Sequence, residues 1–128
     1  MKLVFDTGVW IRWYGKLPLP KSLVQFIESE GRNVMLSTVS IYEAQFKWRL
    51  GKLPTRNPMT WLDDSLTGMS LIPPSKEVCL QAADWDWEHR DPFDRMIAAT
   101  AFCAGAILIH TDFTLSQQKG FSQRYFPL

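Results

Sequence analysis

His89-Arg90-Asp91-Pro92-Phe93-Asp94-Arg95-Met96-Ile97-Ala98-Ala99 reads as the opening of a helix, and Ala106-Ile107-Leu108-Ile109, after the Gly105 stop, reads as a strand. Asp91 suits the N-cap, where a carboxylate accepts from backbone N–H groups that have no intrahelical partner. Pro92 then takes the first helical position, where its missing N–H costs nothing and its fixed φ suits the helix. Phe93, Met96, Ile97, Thr100, Ala101 and Ala104 recur at helical spacing and supply the buried face. Capping explains Asp91. It does not explain Asp94, three residues on and beside the apolar Phe93 and Ile97. That surplus carboxylate is the first sign of chemistry.

The rest of the chain repeats the alternation. Residues 2–5 are a short apolar strand running into Asp6-Thr7-Gly8, and residues 9–14 a short helix stopped by Gly15 and the Pro18/Pro20 segment. A helix over 21–30 closes at Gly31, and residues 33–36 form a second strand. Ser37-Thr38-Val39-Ser40 opens a longer helix that stops at Gly51. Ser40 and Glu43 have capping-box spacing, so Glu43 is a cap if the helix starts there; if Ser37 or Thr38 caps it, Glu43 needs another reason. Pro58 begins a helix reaching about Thr67, residues 69–72 are a third strand, and a helix capped by Ser75 runs up to Trp87. After the fourth strand and its His110-Thr111-Asp112 ending, residues 113–128 are loop-like, with 123–126 as an edge strand. Short apolar strands separated by helices predict one α/β domain over residues 1–128. Its centre is a mainly parallel sheet of four to five strands, flanked by helices.

A chain of 128 residues is one domain's worth and should bury roughly two-thirds of its surface. It is 46% hydrophobic and 21% charged, an ordinary globular balance. The net charge of +1 excludes a global basic footprint, so any nucleic-acid surface must be local. Cys79 and Cys103 lack CxxC spacing and sit in apolar, helix-like patterns, which predicts two buried free thiols. No apolar run approaches 18 residues and no secretory leader pattern is seen, so neither membrane spanning nor secretion is expected and the cytoplasm is.

Four acidic positions share one description: Asp6 and Asp112 at strand ends, Glu43 and Asp94 in the first turns of helices. Helices that follow parallel strands begin at the carboxyl edge of the sheet, where the strands themselves end, so the four can converge there. Clustered carboxylates repel one another and raise each other's pKa. A hard divalent cation offsets that repulsion, and an all-oxygen donor set suits Mg²⁺, with Mn²⁺ as a substitute, rather than zinc. Such an ion lowers the pKa of a bound water and neutralises charge on a leaving oxygen. No Ser–His–Asp or Cys–His pair is evident, which leaves metal-assisted phosphodiester hydrolysis as the natural reaction class.

Leu3-Val4-Phe5-Asp6-Thr7, Ser40-Ile41-Tyr42-Glu43 with Arg49-Leu50-Gly51-Lys52-Leu53, the His89-to-Arg95 motif with Ile97-Ala98-Ala99, and Ile109-His110-Thr111-Asp112 resemble, in order, the motifs of the PIN-domain family, VapC toxin type. The resemblance spans residues 1 to about 113. It implies a Mg²⁺-dependent endoribonuclease, usually the toxin of a type II toxin–antitoxin pair. The acidic site would be Asp6, Glu43, Asp94 and Asp112, with Asp6 and Asp94 the metal ligands. Thr7 and Asp91 would support the site from behind. It also implies an RNA substrate, a small cognate antitoxin and a homodimer. The chain departs from the family pattern at Gly8, at Asp84-Trp85-Asp86-Trp87-Glu88 and beyond Asp112, none of which removes a carboxylate.

Plainer readings compete for the flanking residues. Arg90 and His89 suit either RNA phosphate or a salt bridge to nearby carboxylates. Arg49, Lys52 and Lys47 suit either phosphate contact or a solvated helix end. Trp10 and Trp13 suit a core face, a dimer surface or an antitoxin groove. Two other functions compare with the nuclease: a catalytically silent domain that binds RNA or protein, and a phosphoacceptor receiver. The receiver needs an acidic pair after the first strand, and Asp6 has no acidic neighbour.

Overall fold

The computed structural model describes residues 1–128. Five strands, β1 (Leu3–Phe5), β2 (Met35–Ser37), β3 (Ser70–Ile72), β4 (Ile107–His110) and β5 (Gln123–Tyr125), pair in the order β3-β2-β1-β4-β5. Every pairing is parallel. Seven α-helices surround them: α1 (Thr7–Tyr14), α2 (Lys21–Glu30), α3 (Thr38–Arg49), α4 (Leu62–Ser65), α5 (Lys76–Asp84), α6 (Pro92–Cys103) and α7 (Phe113–Ser116). The α/β class and parallel sheet expected from the sequence are found, and the strand order differs from the 2-1-3-4-5 of receivers.

The sheet is covered on both faces, as parallel sheets are. Leu3 and Phe5 of β1 and Ile109 of β4 join one core, with Val9, Trp10, Leu23, Ile27, Leu36 and Trp61. Val4 and Leu108 point the other way into a second core with Ile97, Ala98, Ala101 and Leu115. Alternation along a strand makes this partition, and the register Val4↔Leu108, Phe5↔Ile109 keeps like faces together. Successive strands β1, β2 and β3 wind outward one way; the chain then crosses back to put β4 on the far side of β1. The winding therefore reverses between β1 and β4, where open α/β sheets place their ligands.

Several elements differ from the sequence expectation. The helix expected from Pro58 to Thr67 is broken into a 3-10 turn over Pro58–Thr60 and the short α4. Trp61 separates them, buried and donating its indole N–H to the Arg56 carbonyl. Helix α5 stops at Asp84 rather than Trp87, because Trp85 and Trp87 stack at 4.3 Å, and residues two apart cannot face each other on a helix. Helix α7 lies in the stretch expected to be loop. Both cysteines are free but exposed, not buried. No helix is long and apolar enough to cross a membrane.

Gly120 ties the C-terminal segment to this frame. Its φ of +101° is a backbone state that side chains rarely adopt, and a Cβ there would lie 2.7 Å from the Trp85 indole nitrogen. Gly120→Ala is expected to cost about 1–3 kcal/mol from backbone strain alone, read as a lower urea midpoint at unchanged slope.

Candidate active site

Asp6 leaves β1 and caps α1, which begins at Thr7 rather than at residue 9: its Oδ1 accepts from the Val9 N–H at 2.8 Å. Asp112 leaves β4 and caps α7, with Oδ1 accepting from the Thr114 and Leu115 N–H groups. Asp91 caps α6 as expected, accepting from the Phe93 and Asp94 N–H groups. Capping and chemistry are therefore not alternatives at this edge. Each capping aspartate uses one oxygen on the backbone and has a second free.

Asp94 reaches the same edge for a different reason. Helix α6 does not follow a strand; it feeds one, ending at Cys103 just before β4 starts at Ile107. Its C-terminus must lie at the amino edge of the sheet. At 1.5 Å per residue its start then lies about 18 Å away, at the carboxyl edge. Asp94 Oδ2 sits 2.7 Å from His89 Nε2. One ligand-capable atom each of His89, Asp94 and Asp112 lies within 4.8 Å of the others.

Glu43 is not in the first turn of its helix. Ser37 caps α3 by accepting from the Val39 N–H, so the capping-box reading fails and Glu43 sits a turn further in. It is 4% exposed, and two partners compensate it. The Thr7 hydroxyl donates to Oε1 at 2.5 Å, with the Ser40 hydroxyl 2.9 Å from Thr7, and Lys47 pairs with Oε2. Lys47, one turn along α3, is the site residue that the sequence reading placed elsewhere; the i,i+4 spacing was its signal. Burial works against its charge, but Glu43, with Asp91 and Asp94 beyond, holds its pKa above the usual value.

Asp6 and Asp94 feel both their burial and the charges around them. Asp6 is pushed up to about 7, chiefly by burial of its carboxylate, then by the charges of Asp94, Glu43 and Asp112, against the Val9 hydrogen bond. Asp94 is pushed up to about 6, chiefly by burial, then by Asp91, Asp112 and Glu43, against the His89 bond. His110 is the last residue of β4 and is fully buried. Its Nδ1 accepts from the Asp112 N–H, which leaves the ring proton on Nε2 to donate to Gln123 Oε1 at 2.8 Å. Burial pushes its pKa down, so the ring is neutral and serves to fix the Asp112 backbone. Arg49, Lys52 and Arg90 are exposed and make no ion pair with the site.

Three aspartates and a glutamate thus lie toward the carboxyl edge of the sheet near the reversal point, and comparison with known proteins gives the chain a family. The PIN domain model matches residues 3–120. The chain belongs to the PIN-domain family. Among solved structures, this PIN domain is similar to a chain of the DNA-bound VapBC complex of Salmonella typhimurium, at TM-score 0.74 and 15% identity, covering 98% of each chain. It is also similar to one in VapBC2 of Rickettsia felis bound to a promoter DNA fragment, at TM-score 0.72 and 15% identity, again covering 98% of each. A chain of a toxin–antitoxin complex from Klebsiella pneumoniae matches at TM-score 0.71 and 15% identity, covering 98% of this chain and 99% of that one. Identities this low establish the shared fold. A search of the curated proteins finds no match.

Proposed function

We propose that this PIN domain is a divalent-metal-dependent endoribonuclease, the toxin of a toxin–antitoxin pair. The observation that carries the reading is the gathering of Asp6, Asp94 and Asp112 at the point where the sheet winding reverses, with burial and neighbouring carboxylates both raising Asp6 and Asp94. An edge that keeps carboxylates against both burial and repulsion fits a cation that offsets the two, and an oxygen donor set fits Mg²⁺ or Mn²⁺. Asp6 and Asp94 would hold the ion, with Asp112 beside them. A bound divalent ion would supply a hydroxide near neutral pH and offset charge on the leaving oxygen of a phosphodiester.

The remaining roles belong to this chain's own residues. Glu43, held by Thr7 and Lys47, locks α3 to the start of α1 and keeps one cation beside the site. Lys47, Arg49, Lys52 and Arg90 are the proposed contacts to RNA phosphate, which position a strand without reading its sequence. The partner half of the proposal rests on the VapBC and toxin–antitoxin complexes among the similar structures. A homodimer is proposed with it: Tyr42 and Phe46 on α3 and Leu50 at its C-cap leave an exposed apolar stripe. The silent-domain reading gains nothing here, since an edge that only bound RNA would be better without these charges.

Purified protein incubated with single-stranded RNA and with DNA of the same sequence tests the reading. Cleavage of RNA in Mg²⁺ that stops in excess chelator is the expected result. Equal cleavage with and without chelator would overturn the metal mechanism, and equal cleavage of DNA the substrate.

A further inference from the structure

The tryptophan-rich segment between α5 and α6, a departure from the family pattern, is folded around a single cation. Arg95 on α6 donates from Nε to the Ala82 carbonyl at 2.7 Å, from Nη1 to the His89 carbonyl at 2.9 Å, and from Nη2 to the Trp85 carbonyl. Longer contacts at 3.5 Å reach the carbonyls of Trp87 and Ala83. Its guanidinium carbon lies 5.3 Å from the centre of the Trp87 ring. No carboxylate pairs with it. The charge is held by carbonyl dipoles instead, two of them from the last turn of α5, where a cation is favoured. Only a planar fork with five donors can span carbonyls from residue 82 to residue 89 at once.

The outer face of the segment is pinned as well. Trp85 and Trp87 stack with their planes 9° apart, both rings lie within 6 Å of the Phe121 ring, and the Trp87 indole donates to the Lys119 carbonyl at 2.9 Å. The segment is thus clamped between Arg95 and residues 119–121, and His89 is the last residue inside the clamp. Its carbonyl is held by Arg95 and its imidazole meets Asp94, the neighbour of Arg95 on α6.

We propose that Arg95 is a positioning residue for the carboxylate site, folding the Trp85–His89 segment around its guanidinium and so holding the His89 imidazole against Asp94. Its effect on metal binding rests on the metal reading above; its effect on the His89–Asp94 contact does not. Arg95→Lys keeps the charge but cannot make the fork. Without metal, the nuclear Overhauser contact between the His89 ring and the Asp94 β protons is expected to be present in the wild type and lost in Arg95→Lys. With metal, loss of the partner that orients a ligand weakens affinity about tenfold. Mn²⁺ binding by calorimetry should show that loss in Arg95→Lys, and less than a further twofold when His89→Ala is already present. A merely structural arginine would weaken both backgrounds alike, and that result, or an unchanged His89–Asp94 contact, would overturn the proposal. If the wild type binds no Mn²⁺ at all, the metal reading fails and the metal-free contact alone decides. Should Arg95→Lys not unfold cooperatively, Trp87→Leu, which removes the stacked face from the same clamp, is the second variant, with the contact again expected to be lost.

Discussion

Asp94→Asn is expected to abolish RNA cleavage while leaving the metal-free protein more stable than the wild type. The two effects have one cause. Metal-ion catalysis supplies several kcal/mol of charge stabilisation, which corresponds to roughly a thousandfold in rate, and an amide that is a poor metal ligand forfeits it. The same amide removes a charge that burial, Asp91, Asp112 and Glu43 all disfavour. Asparagine keeps an oxygen for His89 and the shape of the side chain, so little else changes. Relief of even about 1 kcal/mol would raise Tm by roughly 3–6 °C for a chain of this size. Asp6→Asn should behave alike, because an asparagine oxygen still caps α1 through the Val9 N–H. Initial rates in saturating Mg²⁺ and thermal melts in chelator read the two halves. A variant that loses activity and also melts lower would point to a broken fold instead.

The second large effect is on pH. Asp6 and Asp94 have folded-state pKa values of about 7 and about 6, above the ordinary 3.8. The folded protein therefore holds protons that the unfolded chain has released. Their stabilisation is fully present below pH 4 and is lost as pH rises through 6 to 7. His110, with its pKa lowered by burial, works in the opposite direction at acid pH. It is common to wild type and Asp6→Asn, so the difference between the two melting curves isolates Asp6. That difference should be near zero at pH 4 and grow in favour of Asp6→Asn up to pH 8. Metal binding should reverse the sign. Mn²⁺ must displace the shared protons, so titration at pH 6 should release about one proton or more per ion and titration at pH 8.5 almost none. Calorimetry in buffers of different ionisation enthalpy measures this directly. Equal release at both pH values would mean that the raised carboxylates are not the ligands.

Much of the fold was legible because the signals were local. Strands as short as Leu3–Phe5 and Ile107–His110 stand out as apolar runs, and Asp91-Pro92 announces a helix start without tertiary help. Three site carboxylates, Asp6, Asp94 and Asp112, could be placed because topology alone sends strand ends and the start of α6 to one edge. What sequence could not supply were facts that depend on partners distant in the chain. The end of α5 is set by Arg95, ten or more residues away, and by Phe121, on which Trp85 and Trp87 pack. The exposure of Cys79 and Cys103 depends on which helix faces the packing leaves uncovered, which an apolar pattern does not settle. Glu43 was ambiguous because two cap positions were locally acceptable, and its burial against Thr7 of another helix chose between them. Asp6 reads from sequence as a strand-end site residue; that it also caps α1, with one oxygen on the Val9 N–H, is a fact of the fold.

In the proposed function Asp6, Asp94 and Asp112 meet at the reversal point of a parallel sheet and hold a divalent ion. Anomalous diffraction from crystals soaked in Mn²⁺ addresses that claim without relying on any activity. A manganese peak bounded by the carboxylates of Asp6, Asp94 and Asp112, and absent from Asp94→Asn crystals, is the predicted result. A peak elsewhere on the surface, or none at this edge at a concentration that supports cleavage, would contradict it.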